Sequence, residues 1–218
     1  MAYTGESEED REAVDKALRQ TGKPYTLKQM KYNFASNVDD LVNDYAASDA
    51  VLLLNDDVEL TEDALGPCLQ ALANPQVGTV GIMLLYPDNT IQHAGQYIVE
   101  HDGKFAKVGH LMQRYPRQEF KGNAEVVGNT GAFMMTRLQT WKAVGGMDEG
   151  YKHCLEDVQF NLQCRMMGLR NWCLLPVKAY HAESVTRHQA MCREDIVKIV
   201  TFYNVNRDKF GQAGIYKI

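Results

Sequence analysis

The sequence predicts an α/β fold: a mixed, mainly parallel sheet flanked by helices, with a small antiparallel segment and a C-terminal helix. Three observations predict it. The unbroken apolar run Ala50-Val51-Leu52-Leu53-Leu54 reads as a strand buried on both faces, and Val77 to Tyr86 repeats the pattern. Between them Ala64, Leu65, Cys68, Leu69 and Leu72 fall at helical spacing. The remainder alternates short strand-like runs with turns, which appends an antiparallel segment to the sheet.

In chain order, Glu6 to Arg19 reads as a charged helix stopped by Thr21-Gly22-Lys23-Pro24. Tyr25 to Met30 reads as a short strand, and Ser36 or Asn37 as the cap of a helix from Val38 to Tyr45. Thr61 is expected to cap the helix that follows the first buried strand, and Asn74-Pro75 to end it. Ile91–Val99 and Lys104–Val108 are expected to pair as a hairpin around His101-Asp102-Gly103. Leu111–Asn123 lacks periodicity and reads as a surface loop, and Ala132–Thr136 as a strand. Leu138–Val144 reads as a short helix, and Leu155–Met167 as a longer one closed by Gly168. Asn171–Leu175 and Val177–Tyr180 read as two short strands and Arg193–Phe210 as the terminal helix. The organisation expected is one domain over residues 1–189 with a helical extension over 190–218.

Composition excludes several classes. With 218 residues, 45% hydrophobic and 23% charged, the chain suits one globular domain. No apolar stretch is long enough for a spanning helix, and Met1 to Arg19 is polar and acidic, unlike a signal peptide. A net charge of -5 argues against nucleic acid as the main partner. Five scattered cysteines without a Cys-x-x-Cys pair suit reduced thiols in a cytoplasmic setting.

Three sets of residues carry chemistry. Asn55-Asp56-Asp57 closes the first buried strand, where open α/β sheets bind ligands. Adjacent carboxylates repel unless a cation sits near, so the turn suits a divalent metal, although the same residues also make an ordinary strand-end turn. Glu156-Asp157 opens a helix after a glycine-rich loop, where a carboxylate gains from the helix dipole. There Asp157 serves either as a cap or as a general base for a substrate hydroxyl. His181 ends a strand and is either a packed histidine or a ligand for Mn2+ or Mg2+, and Arg187, His188 and Arg193 add charge suited to a diphosphate. Gly128-Asn129-Thr130-Gly131 is too short for a P-loop, so its glycines permit close approach to a ligand or to a neighbouring strand.

The order Leu52–Glu59, Ile91–Gly95, Gly131–Met134, Val144–Glu149, Leu155–Val158, Arg165–Gly168 and His181 closely resembles family 2 glycosyltransferases of the GT-A (Rossmann-like) fold. The resemblance runs from about Asn33 to Arg187 and implies an inverting hexosyltransferase-type enzyme of cell-surface polysaccharide biosynthesis. Its donor would be a UDP- or dTDP-linked sugar, and its acceptor a carbohydrate or lipid-linked hydroxyl. By the same resemblance Asn55, Asp56 and Asp57 form a D-x-D-like motif, with Asp57 and His181 holding Mn2+ or Mg2+. Asn129, Thr130, Gly131 and Arg187 line the donor path, Asp157 is the base, Glu156 orients the acceptor or the adjoining loop, and Gly146–Cys154 is a mobile loop. Asn55 departs from the usual first Asp, and the Gln-x-x-Arg-Trp motif of processive synthases is absent, which implies single additions. Met1–Tyr32 lacks the family's usual first strand, so an N-terminally truncated domain is expected. That leaves a catalytically inactive binding module as the alternative, and an exposed sheet edge that favours self-association. A nucleotidyltransferase would carry a glycine-rich basic signature, which Met1–Lys23 does not show. The location implied is cytoplasmic or membrane-peripheral.

Overall fold

The computed structural model describes residues 48–55, 57–182 and 192–218, with scattered positions between residues 2 and 40. The helix expected over Val38–Tyr45 therefore lies, apart from Asp40, outside the described residues, as do Asp56 and Arg187. Near the start, β1 (Ala2–Tyr3) and β2 (Lys28–Gln29) pair in parallel.

The core is a seven-stranded sheet with the order β3 (Ala50–Leu54), β10 (Phe133–Arg137), β5 (Val77–Leu85), β11 (Arg170–His181), β4 (Val58–Leu60). β6 (Ile91–His93) joins at β5 and β9 (Ala124–Val126) at β11. Every residue of β5 is buried, as its apolar run requires. The sheet is mixed as expected, but less parallel than those runs suggested: among the described residues β5–β11 is its parallel pair and the other pairings are antiparallel. Burial on both faces is what the runs encode, and an antiparallel central strand satisfies it equally well. α1 (Leu65–Leu72) packs Leu65, Cys68 and Leu72 on one face of the sheet. Its N-cap is Ala64 without a side-chain bond, so Thr61 is not the cap. α2 (Leu138–Val144) and α3 (Glu156–Met166) cover the other face, where Trp141 stacks on Phe160 at 4.7 Å.

The hairpin is β7 (Gln96–His101) with β8 (Lys104–His110), and β6 stands apart from it because Gly95, at φ +106°, turns the chain. β12 (Ile215–Lys217), which the sequence reading did not foresee, adds in parallel to β7. The two strands expected around Pro176 are one long strand whose register shifts between Leu174 and Lys178. α4 (Arg193–Asn206) ends before Phe210 and packs Ile199 and Tyr203 against Ile98, Leu155 and Val158. Arg165 of α3 donates 2.7 Å to the Ala213 carbonyl and also reaches that of Gly211, which ties the last strand to the domain.

Beneath the centre of the sheet lies a buried amide network. Asn161 accepts from Thr79 Oγ1 at 2.6 Å and from the Asn129 amide at 3.2 Å, and its Nδ2 donates to the Asn129 carbonyl at 2.9 Å. Asn171 Nδ2 donates to the Val127 and Asn161 carbonyls. A Cβ on Gly128 would collide with Asn161, and one on Gly81 with Asn129, so glycine is what lets these amides approach the backbone. The network holds the segment 127–131 rigidly at the end of the sheet.

Candidate active site

Two groups of side chains meet at that end. β3 stops at Asn55, whose amide donates to the Ala132 carbonyl at 2.9 Å, and Val58 N returns to the Asn55 carbonyl at 3.3 Å, closing a tight turn into β4. Pairing of β4 with β11 sets His181 opposite Val58 and so beside Asp57. His181 Nε2 lies 3.0 Å from Asp57 Oδ1 and 3.4 Å from Asn55 Nδ2. The other ring nitrogen, Nδ1, is 2.6 Å from Gln92 Oε1, and Gln92 Nε2 donates to the His181 carbonyl. The tautomer with its proton on Nδ1 donates to Gln92 Oε1 and leaves the Nε2 lone pair facing Asn55 Nδ2 and Asp57.

The second group opens α3. Leu155 adopts the left-handed conformation at the N-cap, φ 76°, and delivers Glu156 and Asp157 into the first turn. Asp157 Oδ2 accepts from the Gly131 amide at 2.9 Å and from Gln96 Nε2 at 3.2 Å, while Oδ1 accepts from the Val158 amide at 2.7 Å. Asp157 is half-buried, whereas Glu156 is buried below it. Gly131 and Ala132 link the two groups: the amide of one binds Asp157 and the carbonyl of the other binds the amide of Asn55.

The residues expected from sequence divide accordingly. Asn55, Asp57 and His181 come together, and so do Gly131 and Asp157. Thr130 is half-buried in the turn, its carbonyl accepting from the Phe133 amide. Asn129 is completely buried, its Nδ2 shared between Thr79 Oγ1 and the Trp172 carbonyl, so its side chain supports the turn from below. The loop expected to be mobile, Gly146–Cys154, is anchored: Asp195 of α4 accepts from the amides of Lys152, His153 and Cys154, and Lys198 binds Asp148 at 2.5 Å. Burial alone would raise the Asp148 carboxyl, but bonds from Lys198, the Gly150 amide and Gln159 hold it below the ordinary carboxylate range. The sequence marked Gln92-His93-Ala94-Gly95 as a stretch that either lines a pocket or is plain structure, and Gln96 and Asp195 were missed. A run of polar residues inside an otherwise buried stretch was the available signal for the glutamines. Burial pushes the Cys68 and Cys164 thiols up to about 12, which suits packing and not nucleophilic work.

Among the described residues no group of three or more His, Cys, Asp or Glu is placed to hold a metal ion. Asp57 and His181 nonetheless fit a divalent ion as a two-residue platform. A carboxylate oxygen and an imidazole lone pair 3.0 Å apart repel unless a proton or cation lies between them. Two ligands about 2.1 Å from one octahedral ion, at right angles, stand about 3 Å apart, and Mg2+-type sites commonly use one or two side chains plus substrate phosphates.

His93, next to Gln92, is fully buried, stacked edge-on with His110 at 4.7 Å. Neither ring nitrogen makes a full hydrogen bond. Burial, joined by facing His110 and by His181, drives its imidazole well below the usual range, against a contribution from the Asn129 side chain. Folded His93 therefore stays neutral while unfolded His93 titrates near about 6.5, so stability is complete above that pH and falls as pH drops below it. Thermal melts between pH 8 and pH 5 should show this decline, and His93→Gln should make it shallower; an equally steep decline would remove His93 as its source.

The chain has the GT-A-like fold of glycosyltransferases of known structure, and its sequence is related to that of an O-antigen biosynthesis protein. Its sequence is 32% identical over 158 residues to the O-antigen biosynthesis protein RfbC of Myxococcus xanthus, covering 67% of this chain and 12% of that protein. It is 35% identical over 147 residues to the uncharacterised protein y4gI of Sinorhizobium fredii, covering 63% of this chain and 16% of the other. The chain thus spans only a small part of the length of these relatives. No family profile matches it. Among solved structures, a Pyrobaculum calidifontis mannosyltransferase in complex with GDP-Man and Mn2+ matches with TM-score 0.54 at 14% identity, over 97% of this chain and 55% of that one. The catalytic domain of Drosophila beta1,4galactosyltransferase 7, complexed with xylobiose, matches with TM-score 0.52 at 15% identity, over 91% and 77%. GalNAc-T7 with UDP, GalNAc and Mn2+ matches with TM-score 0.52 at 10% identity, over 83% and 36%. At such identities these structures speak for the fold alone.

Proposed function

We propose that this chain transfers a sugar from a nucleoside-diphosphate sugar to an acceptor hydroxyl by single displacement with inversion, in the assembly of a cell-surface polysaccharide. The observation that carries the reading is the Gly131–Ala132 link, whose adjacent backbone groups bind Asp157 on one side and Asn55 on the other. Asp57 and His181 would hold Mn2+ or Mg2+. A bound divalent ion supplies Lewis-acid stabilisation of the departing diphosphate. Asp157 takes the proton of the incoming hydroxyl, and one base suffices because the leaving group needs no proton. Glu156, buried behind it, orients the acceptor-side loop. Asn55 and Asp56 meet the donor, and Thr130, Gly131 and Arg187 line its path. The acceptor is a carbohydrate or lipid-linked hydroxyl presented on the cytoplasmic side. No helix among the described residues is long and apolar enough to cross a membrane.

Calorimetric titration of UDP, dTDP and GDP with and without Mn2+ tests the reading. Metal-dependent binding of one of them supports it, and a subsequent donor-turnover assay separates transfer from a binding module. Absence of binding for all three would overturn it. Asp57→Ala should abolish the Mn2+ dependence of nucleotide binding, because one of the two side chains assigned to the metal is lost. Unchanged metal-linked affinity in that variant would remove Asp57 from the ligand set.

A further inference from the structure

We infer that Gln92 and Gln96 are the positioning residues of this site, and that the segment joining them fixes its two halves relative to each other. The inference deepens the glycosyltransferase reading and rests on it for what the two halves do. Both glutamines are 2% exposed, and burying an amide side chain is costly unless partners satisfy it. Gln92 finds partners on His181 and the Gln96 Nε2 finds one on Asp157, the two residues to which the chemistry is assigned, while Gln96 Oε1 is buried without a hydrogen bond. Gln92 grips His181 at two points, ring Nδ1 and backbone carbonyl, which sets both the position and the rotation of the imidazole. Gln96 donates to the same Asp157 oxygen that receives the Gly131 amide, so that carboxylate is held from two directions.

The link between them is stiff. β6 is hydrogen-bonded to β5, with His93 opposite Leu84, and the Gly95 carbonyl accepts from the Leu111 amide at 2.8 Å. Gly95 is at φ +106°, and a Cβ there would collide with Val126, so the reversal of direction depends on glycine. On the far side, the Gln96 amide donates to the Gly128 carbonyl at 2.8 Å and its carbonyl accepts from Val127 at 3.1 Å. That pairing locks Gln96 to the strand that runs on to Gly131. Three residues of chain therefore separate the group that holds the His181 ring from the group that steadies Asp157. A second connection, Gly131–Ala132, closes the frame. Such a frame sets the distance between diphosphate and attacking hydroxyl without either glutamine touching them.

The test compares Gln92→Ala and Gln96→Ala in the full chain. Gln92→Ala should weaken Mn2+-dependent UDP or GDP binding about 10- to 100-fold, and Gln92→Glu should restore much of it by returning an acceptor for the Nδ1 proton. Gln96→Ala should leave metal-linked binding unchanged and lower kcat about tenfold at constant KM, the effect of one lost bond to the base. Two readouts need no activity. The 15N resonances of His181 should show the Nδ1–H tautomer, lost in Gln92→Ala, and the side-chain carboxyl 13C resonance of Asp157 should move only in Gln96→Ala. If the wild-type chain binds no nucleotide with Mn2+, the glycosyltransferase reading fails while these resonances still decide the two assignments. Equal losses in both readouts for both variants, or no change in His181 and Asp157, would overturn the inference.

Discussion

Asp157→Asn is expected to lower kcat about 100- to 10,000-fold, the usual contribution of a positioned general base, while leaving Mn2+-dependent nucleotide binding intact. The substitution is nearly isosteric. The asparagine oxygen can still accept from the Gly131 amide and from Gln96, so the two bonds from outside the helix are kept and the one from the Val158 amide is lost. What is lost is the basic carboxylate lone pair that would receive the hydroxyl proton. The competing view is that Asp157 merely suits the first turn of α3, where a negative charge contributes about 0.3–1 kcal/mol to helix stability. In that case the variant would lose a little stability and no turnover. Two features separate the views before any assay. Asp157 is half-buried, and one of its oxygens is held by Gly131, a residue outside its helix. A simple cap would look only to its own first turn. Steady-state donor turnover alongside calorimetry gives the answer, and undiminished turnover would remove Asp157 as the base.

Much of this site was legible in sequence because its parts sit where chain periodicity breaks. The apolar run ending at Asn55, the glycine-rich loop before Glu156 and the strand ending at His181 each mark an element boundary, and all three boundaries fall at the same end of the sheet. Helices α2 and α3 were equally readable, since the glycine-rich stretch from Gly145 and the single Gly168 announce their ends. Strand direction was not legible. A run buried on both faces looks the same whether its neighbours are parallel or antiparallel, so β3 beside β10 could not be oriented from composition. The role of Asn129 was hidden for a related reason: a polar residue between two glycines looks like a ligand contact, and only the approach of Asn161 and Thr79 from distant segments reveals a core amide. Partners more than 30 residues apart leave no local pattern. Asp195 lies 41 to 43 residues from the amides it holds, and Gln92 lies 89 from His181.

Asp195→Ala is the second variant expected to have a large effect, on both stability and turnover. Asp195 is 1% exposed in the first turn of α4 and gathers the amides of Lys152 at 2.9 Å, His153 at 2.9 Å and Cys154 at 3.2 Å. Removing the carboxylate strands those donors, and each buried orphan costs about 1–3 kcal/mol, so a loss of about 3 kcal/mol is expected even if water reaches some of them. The loop they belong to runs directly into Leu155, whose left-handed conformation aims Glu156 and Asp157. Release of the loop displaces the base, and a misplacement of about 1 Å can cost about 100-fold in rate. Asp195→Asn, which keeps one acceptor oxygen, should fall between wild type and alanine on both measures. Lys198→Met supplies the contrast. Its partner Asp148 lies in the same loop, but the pair is about a third exposed, and such pairs are worth about 1 kcal/mol or less. Chemical denaturation and kcat measured well below the melting temperature distinguish anchoring from general unfolding. If Asp195→Ala is destabilised yet turns over like wild type once fully folded, α4 braces the domain without setting the base. If turnover falls in step with Asp195→Asn and Asp195→Ala while Lys198→Met is spared, the C-terminal helix is part of what aims Asp157.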